Sequence, residues 1–275
     1  MDWLSINKPL AATALLVVLW TLESVVPMYA GRNRRIRHGL TNLGLGLINT
    51  VAVALPVATL MYGVTQWARA ADFGLTRWAS LPTWAGWIVA LVLFDAWMYL
   101  WHRLNHHVPL LWRFHAVHHT DREMDTTSAL RFHTGEIALS SLARLAVLPL
   151  LGMTMPQLLV YELLLLPVIL FHHSNVRVPR TWDTALRLAI VTPWMHWVHH
   201  SRERVETNSN YSSVLSVWDR LFGTYRFRPD PEAIQQGLHD EDGGAAWRTL
   251  PQMLLAPLGR SAASGRSRAE SERRG

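Results

Sequence analysis

The chain has 275 residues, half of them hydrophobic and only 17% charged, with a formal net charge of +6. That balance is too apolar and charge-poor for an ordinary soluble domain of this length, so a membrane protein is the first class to test. Cysteine is absent, which excludes disulfides, thiolate metal sites and a cysteine nucleophile and leaves histidine or carboxylate to hold any metal.

Residues 9–30 form an apolar segment broken only by Glu23. It lacks the basic start and small-residue cleavage site of a secretory signal and reads as a retained helix. Residues 38–68 and 78–94 contain no Asp, Glu, Lys or Arg, so each can satisfy its backbone as a helix in lipid. Residues 137–171 would span about 52 Å as one helix at about 1.5 Å per residue, too long for one crossing of a ~30 Å core. Gly152, Thr154 and Pro156 predict a hairpin there, whose arms either cross fully or form a re-entrant pair. Arg32, Arg34, Arg35 and Arg37 follow the first segment, and cationic loops stay cytoplasmic, which puts every histidine-rich segment on that side. Residues 260–275 carry five Arg against two Glu and read as a disordered tail able to touch anionic headgroups. Excess charge confined to loops and a tail gives a nucleic-acid partner little support.

Of the 14 histidines, nine fall in three short clusters and two more form a pair. WHRLNHH holds His102, His106 and His107; HAVHH holds His115, His118 and His119; HWVHH holds His196, His199 and His200. If the third apolar helix continues past the membrane, His102 and His106 share one face, and offsets of 0, 3 and 4 gather each later trio on one helical stripe. Neutral imidazoles so arranged form a nitrogen surface for Fe, Zn, Cu or Ni, and two or three such stripes can enclose a pair of metal ions. A lone histidine is seldom a ligand, because metal sites need several convergent donors; here the pattern recurs on one side of the membrane. In FHHSN, His173 is favoured over His172. His133 in RFHTGE serves either as a ligand or as support behind one. His107 and His172 read as neighbours, and His38 and His239 as interfacial or solvated. Asp95, two helical turns before His102, either orients that ring or is a structural carboxylate at the interface. Glu136 can hold Arg131 or a metal-bound water. Asp125 to Ser128 read as a helix cap, and Trp218, Asp219, Phe222 and Gly223 as a closing helix end and turn.

With these motifs the chain resembles the fatty acid hydroxylase, or sterol desaturase, superfamily of membrane di-iron enzymes. The first histidine box resembles His102 and His106; the second, His115, His118 and His119; the last, His196, His199 and His200. An RxHxxE element resembles Arg131, His133 and Glu136, and an FxHxN element resembles Phe171, His173 and Asn175. Asn210 to Ser212 and Trp218 to Tyr225 look like the family's end signature, so the resemblance covers about residues 85–228. Some relatives carry an additional HxxxH before the last box, whereas here the residue four before His173 is Ile169. Either His133 completes the ligand count or one metal is less fully coordinated.

The expected protein is thus an all-α integral membrane bundle of about four membrane segments with a cytoplasmic helical cap. Residues 1–84 supply membrane helices, 85–228 the catalytic region, and 229–275 an extension. The resemblance implies two iron ions, O2 as co-substrate, electrons from a separate donor protein, and hydroxylation or desaturation of a lipid-like substrate. The ligand candidates are His102, His106, His115, His118, His119, His133, His173, His196, His199 and His200. A bacterial inner membrane suits such a chain. The rival readings are a membrane metal-binding or transport protein and a zinc-dependent hydrolase.

Overall fold

The apolar runs, whose peptide groups find no partner in lipid, close their hydrogen bonds internally as helices. A computed structural model describes residues 2–30, 34–239 and 249–259. Helix α1 (Asp2–Val25) is followed by α2 (Arg35–Asn49), a widened π turn (Thr50–Ala54) and α3 (Leu55–Ala70) in one continuous rod. The π turn precedes Pro56, whose missing N–H and ring disturb the ladder four residues back. Short α4 (Leu75–Trp78) leads to α5 (Thr83–His107) and α6 (Pro109–His119). These two helices break at Val108, which sits at φ −92°, ψ 115°, because the ring of Pro109 drives the preceding residue out of the helical region. The first two histidine boxes therefore meet at an angle.

Asp125 caps a 3-10 turn (Thr126–Leu130) through Thr127 N–H, with Ser128 reciprocating, as the cap reading expects. Then come α7 (Thr134–Leu151) and α8 (Met155–His173), joined by the expected hairpin. Gly152 adopts φ 71°, and a Cβ on Gly74, at φ +116°, would lie 2.4 Å from the Gly152 backbone, so the two turns pack backbone to backbone. The cap is built from short helices α9 (Arg180–Leu186), α10 (Pro193–His199), α11 (Arg204–Thr207) and α12 (Val217–Leu221), followed by α13 (Leu250–Gly259). Among the described residues there is no strand, only three isolated bridges.

Among the described residues, four helices are long and apolar enough to cross a membrane: Arg35–Trp78, Thr83–His107, Thr134–Leu151 and Met155–His173. The count matches the expectation, but its members differ. The first expected segment yields only the shorter apolar helix Leu10–Val25, while each hairpin arm reaches spanning length. Glu23, which interrupts that first segment, is buried and accepts from Arg35 at 2.8 Å, Asn175 N–H at 2.8 Å and Thr126 N–H at 3.2 Å. It ties α1 to the cap instead of facing lipid. A core of Met61, Phe94, Leu148, Leu158 and Tyr161 joins α3, α5, α7 and α8, and the histidines converge at the far ends of α5 and α8, where α6 and α10 cross them.

Candidate metal centre

Nine histidines come together in two adjoining groups. His102, His106, His115, His119 and His199 form one; His118, His173, His196 and His200 form the other; within each, one ring nitrogen per residue lies within 4.8 Å of the rest. The groups touch where the His119 and His200 rings stack at 4.5 Å. Helix α5 does continue beyond its apolar run and places His102 and His106 on one face. Each HxxHH stripe is divided between the two groups, so the stripes together enclose both positions. In α6, His115 and His119 serve the first group and His118 the second; at α10, His199 serves the first and His196 and His200 the second.

Five of these rings are pointed inward by a bond at the back. His102 Nδ1 meets the Tyr211 carbonyl at 2.8 Å, His199 Nδ1 the Ser209 carbonyl at 2.7 Å, His118 Nδ1 the Arg131 carbonyl at 3.2 Å and His173 Nδ1 the Ile169 carbonyl at 2.8 Å. His115 Nδ1 meets Glu136 Oε1 at 2.7 Å. A carbonyl or carboxylate oxygen only accepts, so each of these Nδ1 atoms carries the proton and, in a neutral ring, Nε2 presents a bare lone pair. His118 Nε2 and His173 Nε2 nevertheless face each other at 3.1 Å. Two lone pairs at that distance repel unless a cation lies between or beside them. The Nε2 atoms of His102, His106 and His199 are buried without a hydrogen-bond partner, an arrangement expensive in a protein interior and satisfied by metal coordination.

Protonation is a poor substitute for that cation. Burial holds His118, His119, His196 and His200 well below the usual histidine range, with neighbouring imidazoles adding to the effect, and holds His199 down to about 3. Neutral imidazole is also the form that ligates metal. The donor set, nine ring nitrogens in two groups with five of the rings oriented from behind, fits two metal ions side by side, and all-nitrogen ligation suits iron.

The tenth candidate stands apart. His133 caps α7: its Nδ1 accepts from Gly135 N–H at 2.8 Å and its Nε2 donates to the Leu254 carbonyl at 3.2 Å, so both ring nitrogens are engaged outside either group. The second group therefore keeps four donors against five in the first. His172 is buried against His196, with ring centroids 4.0 Å apart, but belongs to neither group; His107 is exposed beside the Tyr211 hydroxyl. Both are neighbours, as read. His38 is not solvated: it bridges Asp121 at 2.9 Å and Asp125 at 3.1 Å. His239 is exposed. Asp95 does not reach His102; it accepts from Tyr161 at 2.7 Å, Trp218 at 2.7 Å and Leu215 N–H at 3.1 Å, a structural carboxylate. Glu136 holds His115, while Arg131 donates to Asn42, Thr120 and the Val117 carbonyl.

Sequence reasoning missed the backs of the rings. Tyr211 lay within a flagged motif, but backbone carbonyls carry no residue-type signal. For Glu136 the only signal was its three-residue offset from His133.

A family model described as fatty acid hydroxylase matches residues 87–224. The ornithine lipid hydroxylase OlsE of Rhizobium tropici is 30% identical over 199 residues, covering 72% of this chain and 58% of that protein. Alkylglycerol monooxygenase of Homo sapiens is 28% identical over 229 residues, 81% of this chain and 46% of that protein. Cholesterol 25-hydroxylase of Rattus norvegicus is 28% identical over 210 residues, 74% of this chain and 66% of that protein. The chain thus spans about half to two thirds of the length of these relatives. No solved structure matches significantly. With its matched region and four apolar helices, the chain is an integral membrane protein and belongs to the fatty acid hydroxylase family.

Proposed function

We propose that this member of the fatty acid hydroxylase family is a di-iron, O2-dependent oxidoreductase that hydroxylates a C–H bond of a membrane-resident lipid, with electrons from a separate donor protein. The observation that carries the reading is the pair of lone-pair-lined groups, above all His118 Nε2 facing His173 Nε2 at 3.1 Å. His102, His106, His115, His119 and His199 would hold one iron, and His118, His173, His196 and His200 the other. When bound, the iron pair supplies O2 activation and the oxidation of an unactivated C–H bond. The chain's own part is to gather nine imidazoles and aim those backed by a carbonyl or by Glu136, to exclude water around them by burial, and to admit a hydrocarbon chain from the bilayer at the ends of α5 and α8. Hydroxylation is preferred over desaturation because the three relatives above are named as hydroxylases or a monooxygenase, and their named lipids suggest a substrate that resides in the membrane. The basic residues between the first two segments favour a site on the cytoplasmic side of the membrane, which in this proposal is a bacterial inner membrane.

A zinc hydrolase needs only three ligands and an open position, which leaves most of the nine donors unexplained. A metal transporter needs a polar path across the bilayer, whereas both groups lie at one end of the helices. The deciding experiment is metal analysis of anaerobically purified protein beside His118→Ala and His199→Ala, with lipid-dependent O2 uptake in the presence of a reductase. About two irons per chain in the parent, reduced in each variant, are expected. A single tightly held zinc that iron cannot replace would sink the proposal.

A further inference from the structure

Helices α9 and α12 give the cap one side that is both apolar and basic. The segments bearing them are stitched together by Val191 N–H to the Val214 carbonyl at 3.0 Å and Ser216 N–H to the Ala189 carbonyl at 3.1 Å. From this surface Trp182 is 67% exposed, Leu188 69%, Leu221 66% and Phe222 50%. Large apolar side chains grouped on one face mark a surface that meets something other than water. Residues 176–190 and 211–227 also carry five arginines and only two carboxylates, Asp183 and Asp219. Both carboxylates are buried: Asp183 pairs with Arg187 at 3.0 Å, and Asp219 accepts from Tyr211 N–H at 2.7 Å and Ser212 N–H at 3.0 Å. Neither segment presents an exposed acid to balance Arg177, Arg180 and Arg226, which stand outward.

The depth of this surface follows from its anchors. Asp95, the midpoint of α5, accepts from Leu215 N–H and Trp218, and Val214 packs with Met61, Phe94 and Tyr161 of the membrane helices. Asp95 precedes His102 by seven residues, so Leu215 and Trp218, around the start of α12, are held about 10 Å back along the apolar run of α5 from His102, at about 1.5 Å per residue. Phe222 stacks on Tyr99 of α5 with centroids 5.2 Å apart. Helix α5 itself exposes Trp84, Ile88, Val92 and Leu100.

We infer that α9 and α12 form a platform seated in the bilayer interface, with Leu188, Leu221 and Phe222 in the acyl boundary and the outward arginines paired with anionic lipid headgroups. This placement depends on the membrane-spanning helices and not on which lipid is oxidised at the histidine groups.

The absence of native cysteine permits single-site spin labelling of the full chain. Leu188→Cys, Leu221→Cys and the control Glu232→Cys, all at exposed positions, are labelled in nanodiscs of phosphatidylcholine with or without phosphatidylglycerol. Collision with O2, which partitions into acyl chains, is compared with collision with a water-soluble nickel chelate. The platform predicts an O2-to-nickel ratio several-fold higher at Leu188 and Leu221 than at Glu232. It further predicts that omitting phosphatidylglycerol, or introducing Arg180→Gln with Arg226→Gln, lowers that ratio. Labels at Leu188 and Leu221 as open to nickel as the control would overturn the platform and assign the face to a water-soluble acidic partner. A ratio indifferent to phosphatidylglycerol and to both Arg variants would overturn the headgroup pairing. Metal content of each variant reports whether the histidine groups remain assembled.

Discussion

Replacing Glu136 by Gln tests whether the bonds behind the rings set metal affinity. The Glu136 carboxylate meets His115 Nδ1 at 2.7 Å in a buried setting, so the bond is charge-assisted and worth about twice a neutral one. A Gln amide keeps the shape and can still accept through its oxygen, so the substitution removes the charge and leaves the contact. The difference, about 1–1.5 kcal/mol from the usual ranges for charged and neutral hydrogen bonds, corresponds to about a tenfold loss of affinity, the lower end of the 10- to 100-fold effect of such partners. It falls on the group that contains His115, not on that of His118. The assay is chelator competition on anaerobically loaded protein, following metal retained per chain, with thermal unfolding of the metal-free form as a check on folding. Glu136→Gln should release part of its metal at about a tenfold lower chelator concentration, while the metal-free midpoint changes little. Retention identical to the parent would show that His115 is held by packing alone and refute the reasoning.

Three further outcomes follow. His133→Ala should leave metal content intact and cost about 1 kcal/mol of stability through loss of the α7 cap; metal loss equal to that of His173→Ala would return His133 to the ligand set. In the metal-free protein, burial lowers the pKa of His118, His119, His196, His199 and His200 below 6.5, to about 3 for His199. The unfolded chain then binds more protons, so their neutral form is tolerated fully above pH 6.5 and stability declines as pH falls from there toward the folded values. The decline is on the order of 1 kcal/mol per group per pH unit, and a flat thermal midpoint through that window would contradict it. Gly74→Ala places a Cβ 2.4 Å from Gly152 backbone atoms at a positive φ and should lower stability by more than ~1 kcal/mol. Gly63→Ala, with nothing within 4 Å of the added Cβ, serves as the control and should unfold near the parent temperature.

Much of the architecture was readable because its signals are local. A charge-free run such as residues 38–68 has one way to satisfy its backbone in lipid, and Gly152 and Thr154 terminate and restart helices by their own conformational preferences. The histidine spacing likewise announced the clustering of the rings, since offsets of three and four residues bring rings to one stripe whatever the rest of the fold does. Where one segment meets a distant one, the signal ended. Glu23 looked like an interruption in a membrane span because its partners, Arg35, Thr126 and Asn175, come from three other stretches of chain.

The same boundary runs through the site. Composition and spacing by themselves determined that this is a helical membrane protein whose clustered histidines are candidate metal donors, because periodicity and the absence of cysteine are properties of the chain before it folds. Tertiary structure alone decided that each HxxHH divides between two groups, that His133 caps a helix, that Glu136 aims His115 and that Asp95 anchors α12. A ring's role depends on what lies behind its other nitrogen, and here the Tyr211, Ser209, Arg131 and Ile169 carbonyls lie there. Every residue type has a carbonyl, so only the path of the backbone through space identifies the one that fixes a proton and leaves a lone pair for metal.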